Sequence, residues 1–175
     1  MKIIAFAASS SSKSINKKLV TYAANLSASN QVEILDLNNY ELPLFSIDKE
    51  FEIGKPQLAQ DFLEKINNCD ALIISFAEHN GSYCAAYKNI FDWCSRINQK
   101  VFQGKKMALF STSPGARGGA SVLEAAVKSA PLFGGKVVGN LSVPSFGRNF
   151  DENTGKMIND QINSSLIKII NDLTK

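Results

Sequence analysis

Three stretches of this chain are apolar almost without interruption: KIIAFAA (2–8), DALIISFA (70–77) and KKMALFSTS (105–113). A strand with one wet face alternates apolar and polar residues. A strand covered on both faces reads as a continuous apolar run. These runs therefore call for a sheet with a layer of structure on each side. QVEILDL (31–37) alternates more, as a strand nearer a sheet edge does, and KVVGNLSVPSF (136–146) reads as a strand broken at Gly139.

Helical periodicity fills the intervals. Ile15, Leu19, Tyr22, Ala23 and Leu26 share one face, with Ser14 placed as the N-cap. Lys55–Asn67 carries Leu58, Phe62 and Ile66 four apart. A helix after residue 83 turns Tyr87, Ile90, Phe91, Cys94 and Ile97 inward, which leaves Trp93 off the stripe as an exposed aromatic or an interface anchor. Ser121–Phe133 is helical, and so is Gly155–Leu173, with Ile158, Ile162, Leu166, Ile169 and Leu173 inward. Residues 39–56, with two prolines and a glycine, read as an excursion loop.

Strands alternating with helices imply a mainly parallel sheet covered on both faces. With 175 residues and no repeat or linker, the expectation is a single domain over 1–175. Its class is α/β, a flavodoxin-like three-layer sandwich with a five-stranded parallel sheet in the order 2-1-3-4-5. In such sheets ligands sit beyond the carboxyl ends of the strands, at the switch point between the first and third. The three oddest loops all fall at such ends: 9–14, 78–83 and 113–119.

Composition removes several alternatives. Net charge is +3, from 19 basic and 16 acidic residues with no long basic stripe, so a nucleic-acid partner is not expected. The opening MKIIAFAAS is too short for a membrane span and is better used as a buried strand than as a leader. The 3 cysteines, Cys69, Cys84 and Cys94, are widely spaced, which suggests free thiols and a cytoplasmic setting. His79 is the single histidine, so no metal site built on several histidines is expected. The Walker-type loop, the G-x-G-x-x-G fingerprint, the G-x-S-x-G elbow and H-E-x-x-H are all absent. A hydrolase using Ser82 and His79 is poorly supported, since both lie in one short loop.

The loop ASSSSKS (8–14) has two readings. Serine is a common turn former, so it can be a polar turn ending in an N-cap. It also enters a helix N-terminus, where unpaired N–H groups and a partial positive charge favour an anion. Ser9, Ser11, Ser12 and Ser14 add hydroxyl donors there, and Lys13 adds a charge.

ASSSSKSIN (8–16), AEHNGSYCAAYKNIFDWCSR (77–96) and STSPGARGG (111–119) resemble the NADPH-dependent FMN reductase family over nearly the whole chain. The middle stretch is the most specific, being close to that family's P-E-Y-N-G-S followed by a K-N-x-x-D-W helix. The resemblance implies an FMN site, with NADPH or NADH as hydride donor. Ser9, Ser11, Ser14, Ile15 and Asn16 would hold the phosphate, and Ser9, Ser14 and Asn16 match the family's G-S-x-R-x-x-S-x-N pattern. Ala77, Glu78, His79, Asn80 and Gly81 would line the ring, and Ser113, Pro114 and Gly115 would close its pyrimidine end. Ala8 and Ser11 stand where that family has glycine and arginine, and Ala77 and His79 where it has proline and tyrosine. The missing arginine removes a bidentate phosphate contact.

The chemistry implied is hydride transfer through FMN to a small-molecule acceptor: a quinone, an azo compound, a flavin or a metal oxyanion. The cofactor carries that chemistry, so no residue is named as catalytic. Tyr83 and Arg117 are the candidates for substrate contact. The family resemblance also implies a homodimer or homotetramer, with no membrane partner. The alternatives are a flavodoxin-like electron carrier, against which the positive charge argues, and a non-catalytic flavin-binding protein.

Overall fold

The uninterrupted apolar runs form the middle of one sheet. In the computed structural model, which describes residues 1–27 and 30–175, its strands are β1 (Lys2–Ala8), β2 (Gln31–Leu35), β3 (Ala71–Phe76), β4 (Lys106–Thr112) and β5 (Lys136–Val143). All are parallel, in the order β2-β1-β3-β4-β5. That is the flavodoxin-like order the sequence calls for, with its switch point between β1 and β3.

Alternation along each central strand feeds two cores. Ile4, Phe6, Leu72, Ile74 and Leu109 pack with α3 (Gln57–Asn67), α4 (Ala85–Ile97) and α5 (Ala120–Ser129). Ile3, Ala5, Ile73, Ala108 and Phe110 pack with α1 (Ile15–Asn25) and α6 (Asp160–Thr174). Each fully buried phenylalanine, such as Phe6 or Phe110, contributes about 2–3 kcal/mol of burial free energy. The break expected at Gly139 is a register jump, with Val137 opposite Met107 and Gly139 opposite Ala108. A Cβ on Gly139 would lie 2.9 Å from the Ile169 side chain, so α6 presses directly on the backbone there.

The structure corrects four expectations. The 39–56 segment is not a bare loop: a 3₁₀ turn covers Leu37–Tyr40, and a helix, α2, covers Ile47–Ile53. The Ser46 side chain caps α2 by accepting from Lys49 N, and Gly54 ends it at φ 70°. The last helix begins at Asp160 rather than Gly155, behind the Asn159 cap, so Ile158 is 58% exposed instead of inward. The strand expected over 31–37 ends at Leu35, where Asp36 caps the 3₁₀ turn. Trp93 is neither exposed nor available as an interface anchor; it is fully buried.

A strap over α4 explains Trp93. Its indole N–H donates to the Pro43 carbonyl at 2.8 Å, and the Phe45 ring meets it edge-on at 5.1 Å. Asn89, one turn earlier, donates to the Leu42 and Pro43 carbonyls and accepts from Phe45 N. Helix α4 is thus covered on a second face by chain 50 residues away, which periodicity within the helix does not reveal.

Candidate functional site

Three loops meet at the carboxyl ends of β1, β3 and β4 and enclose a cleft of about 280 Å³. Its first wall is residues 9–16. Ser9 is buried, and its hydroxyl accepts from Ser11 N at 3.2 Å, which folds the loop back on itself. Ser14 N donates to Ser11 O, and the Ser14 hydroxyl accepts from Lys17 N at 3.3 Å as the α1 N-cap. Each of these hydroxyls accepts a backbone N–H and so keeps its own O–H for a ligand.

Two further donors come from helix geometry. The N–H groups of Ile15 and Asn16 lie in the first turn of α1, where no carbonyl four residues back exists within the helix. No acidic residue stands in that turn to satisfy the dipole internally. Lys17 and Lys18 are tied to Asp36 and Glu152. Lys13 lines the cleft and forms no ion pair among the described residues. Ser11 is exposed at the rim.

The second wall is a small hairpin. Glu78 pairs with Tyr83 and His79 with Ser82, and Asn80 and Gly81 turn the chain at φ 51° and 75°. Two consecutive residues at positive φ match the type I′ turn that Asn-Gly favours. Glu78 Oε2 accepts from Val122 N at 2.9 Å. Gly119, the N-cap of α5, has no side chain to do this, so Glu78 caps that helix from a different loop. Ala77 is buried at the base of the wall, and His79 is exposed at its lip.

The third wall runs from Thr112 through Ser113 and Pro114, with Gly115 just beyond the cleft. It is held from behind. Ser113 O accepts from Phe146 N, Gly115 O accepts from Ser145 N, and Thr112 Oγ1 donates to Val143 O at 2.7 Å. At Gly118, φ is +58° and a Cβ would lie 2.5 Å from Ser142 Oγ and 2.8 Å from the Val143 backbone.

The cleft brings together Ser9, Ser11, Ser14, Ile15, Asn16, Ala77, Glu78, His79, Ser113 and Pro114 of the expected residues. Asn80, Gly81 and Gly115 flank it in the same loops. Two expected residues lie outside it. Tyr83 packs its ring against Phe76 and Tyr87, and its hydroxyl is 3.2 Å from Ser129 Oγ. Burial there pushes its phenol pKa up. Arg117 is exposed and donates to Ser121 Oγ at 2.7 Å. The sequence reading missed Thr112, whose place at the end of a central strand is the only local signal for it.

The Asn16 amide points inward, to Ser75 and Thr112. Its oxygen accepts from Ser75 Oγ and Thr112 N, and its nitrogen donates to Thr112 O. Burial pushes the Cys94 thiol up to about 12 and raises Cys69 as well. Among the described residues no cluster of His, Cys, Asp or Glu suits a metal ion, and no helix is long and apolar enough to cross a membrane.

A larger groove of about 440 Å³ lies on the other side of the first wall, between Tyr40, Leu42, Leu44 and the first turn of α4. Its most versatile polar side chain, Asn89, is already committed to the strap. The smaller cleft is the one that gathers two serine hydroxyls, two first-turn N–H groups and Lys13.

A doubly wound parallel sheet in this strand order, with a donor-lined cleft at its switch point, defines a flavodoxin-like fold. The chain matches the NADPH-dependent FMN reductase family over residues 1–147, and it belongs to that family. It is 31% identical over 124 residues to a quinone reductase of Escherichia coli (strain K12), covering 65% of this chain and 66% of that protein. It is 35% identical over 120 residues to a 2-hydroxy-1,4-benzoquinone reductase of a Burkholderia species, covering 67% and 63%. The matched region is just under two-thirds of the length of these relatives. In fold it resembles FerB, a flavoenzyme NAD(P)H:(acceptor) oxidoreductase from Paracoccus denitrificans, with a TM-score of 0.76 at 20% identity, covering 98% of this chain and 94% of that one. A flavodoxin variant from Pseudomonas aeruginosa aligns over 100% of both chains with a TM-score of 0.60 at 12% identity.

Proposed function

We propose that this protein binds FMN in the three-walled cleft and uses it to reduce a quinone-class acceptor with NADPH or NADH. The observation that carries the reading is the chemistry of the first wall. Two serine hydroxyls, two first-turn N–H groups and Lys13 present donors and positive charge with no acidic residue among them. That set suits a phosphate monoester. The names of the matched relatives support the rest.

In this reading Ser9, Ser14 and the N–H groups of Ile15 and Asn16 hold the phosphate, with Ser11 and Lys13 at the rim. Ala77 to Gly81 run beside the ring, and Ser113, Pro114 and Gly115 close its pyrimidine end. Bound there, FMN supplies the two-electron relay between the nicotinamide and the acceptor. The chain's part is to orient the ring, to offer backbone donors to negative charge at its pyrimidine edge and to leave one face open. Arg117, exposed beside the third wall, is assigned to the donor's phosphates; Tyr83 is assigned to packing. The assembly is a homodimer or homotetramer in the cytoplasm. Ile47 and Phe51, one helical turn apart and 61% and 87% exposed, are the apolar side chains an interface would cover.

The test is a titration. FMN at micromolar concentration should give a perturbed flavin spectrum with the protein, and anaerobic NADPH should bleach it. Initial-rate lines for donor and acceptor should run parallel, as a two-step shuttle requires. An unperturbed spectrum overturns the reading; binding without bleaching leaves a flavin binder rather than a reductase.

A further inference from the structure

The floor of the cleft is crossed by one side chain. Asn16 is 3% exposed, Ser75 0% and Thr112 1%. Asn16 Oδ1 accepts from Ser75 Oγ at 2.8 Å and from Thr112 N at 3.0 Å, while Nδ2 donates to Thr112 O at 3.1 Å. The ladder between β3 and β4 ends at the Phe76–Ser111 pair, so Thr112 has outrun its neighbour strand on that side. The Asn16 amide takes the open rung, pairing with both the N–H and the C=O of Thr112 as a peptide group of an adjacent strand would.

The three partners belong to the three walls. Asn16 follows the Ser14 cap by two residues, Thr112 immediately precedes Ser113, and Ser75 lies two residues before Ala77. We propose that Asn16 is a positioning residue that fixes the distance between the phosphate-holding wall and the two ring-holding walls. The inference rests on the reading that the cleft takes FMN. It gives the Asn16 side chain a role separate from that of its backbone N–H in the phosphate-holding wall.

The amide is required because it offers an acceptor and a donor side by side. A leucine at 16 has a similar volume and no charge, but leaves Ser75 Oγ, Thr112 N and Thr112 O without their partner. Buried groups that lose a partner there gain no other. The walls then keep their own donors and lose their fixed separation. A ligand that spans both depends on that separation, because holding one end sets the effective concentration of the other.

Three probes separate the alternatives: FMN, riboflavin for the ring walls, and inorganic phosphate as a competitor for the first wall. In Asn16→Leu, which adds no charge and keeps the backbone N–H, FMN affinity should fall by about tenfold or more, the scale expected for at least one lost buried hydrogen bond. Riboflavin affinity and the phosphate competition constant should stay within about twofold of wild type, since neither probe spans the walls. Ser75→Ala removes one of the three bonds and should show the same pattern at smaller amplitude. An Asn16 variant with no cooperative melt therefore hands the decision to Ser75→Ala. Phosphate affinity falling in step with FMN would mean direct contact and overturn the inference, as would unchanged FMN affinity in both variants. Wild-type protein that fails to bind FMN at all sinks the proposed function instead, so the two failures are distinguishable.

Discussion

The first and third walls of the cleft are both short loops at strand ends, and they are held in opposite ways. The first wall folds around its own serines, with Ser9 and Ser14 hydroxyls accepting from Ser11 N and Lys17 N. The third wall is gripped from outside, its carbonyls at Ser113 and Gly115 taken by Phe146 N and Ser145 N. A loop that satisfies itself through hydroxyl acceptors keeps its O–H and N–H donors for a ligand. A loop gripped by its carbonyls gains rigidity and gives its position to a neighbouring segment. The difference predicts that changes in the first wall alter ligand affinity, whereas changes in the third wall alter stability.

The largest effect is expected at Gly118. An alanine there must hold a positive φ and bring its Cβ within 2.8 Å of the Val143 backbone, which cannot move aside as a flexible side chain can. The strained dihedral costs about 1–2 kcal/mol and the overpacking a further 1–3 kcal/mol. Gly118→Ala should therefore lose roughly 2–5 kcal/mol, read as a Tm drop of roughly 4–20 °C. A loss below about 1 kcal/mol would mean that the third wall can shift off residues 142–143, and the contrast between the walls would fail.

Ser11→Arg tests the other side of the contrast. Ser11 is exposed at the rim, so stability should not change. An arginine there adds a charge-assisted, bidentate contact to a phosphate and should tighten FMN binding about tenfold, leaving riboflavin alone. Fluorescence quenching titrations of the two flavins measure this directly. Weaker FMN binding would place the phosphate elsewhere.

These predictions use features that differ in how plainly the sequence shows them. The doubly covered sheet was legible because uninterrupted apolar runs such as KIIAFAA mark burial on both faces, and its order followed from five strands alternating with helices. The Ser14 cap was legible because capping is local. Helix α2 carried its own signals, Ser46 before it and Gly54 after it, but at 7 residues it is too short to repeat its one apolar pair, Ile47 and Phe51, into a stripe. Trp93 was misplaced because its partner, Pro43, lies 50 residues away. Glu78 caps α5 across 44 residues, and Asn16 reaches Thr112 across 96. Such contacts follow only once the sheet has brought three loops to one edge. The sequence therefore indicated which residues gather at the cleft, but not which ones face the ligand and which hold the walls.

The smallest predicted effect concerns the outer tie of the first wall. Lys17, in the first turn of α1, bonds the Asp36 carboxylate, and this bond with that from Asn38 N holds the Asp36 pKa below its ordinary value of 3.8. A lowered carboxylate contributes stability above its unfolded pKa, and that contribution disappears as pH falls through the folded value. Both partners are about a third exposed or more, so the contribution is below ~1 kcal/mol. In an Asp36→Asn variant the amide oxygen still caps the Leu37–Tyr40 turn, so the substitution removes the charge and little else. Urea melts should show wild type slightly more stable than the variant at pH 7, with the gap closing on the acid side of about pH 4. FMN affinity at pH 7 should be unchanged, because the wall is held by its serines and from beneath by Asn16. A loss of FMN affinity in Asp36→Asn would show that the first wall depends on outside support after all, and the two walls would no longer differ in kind.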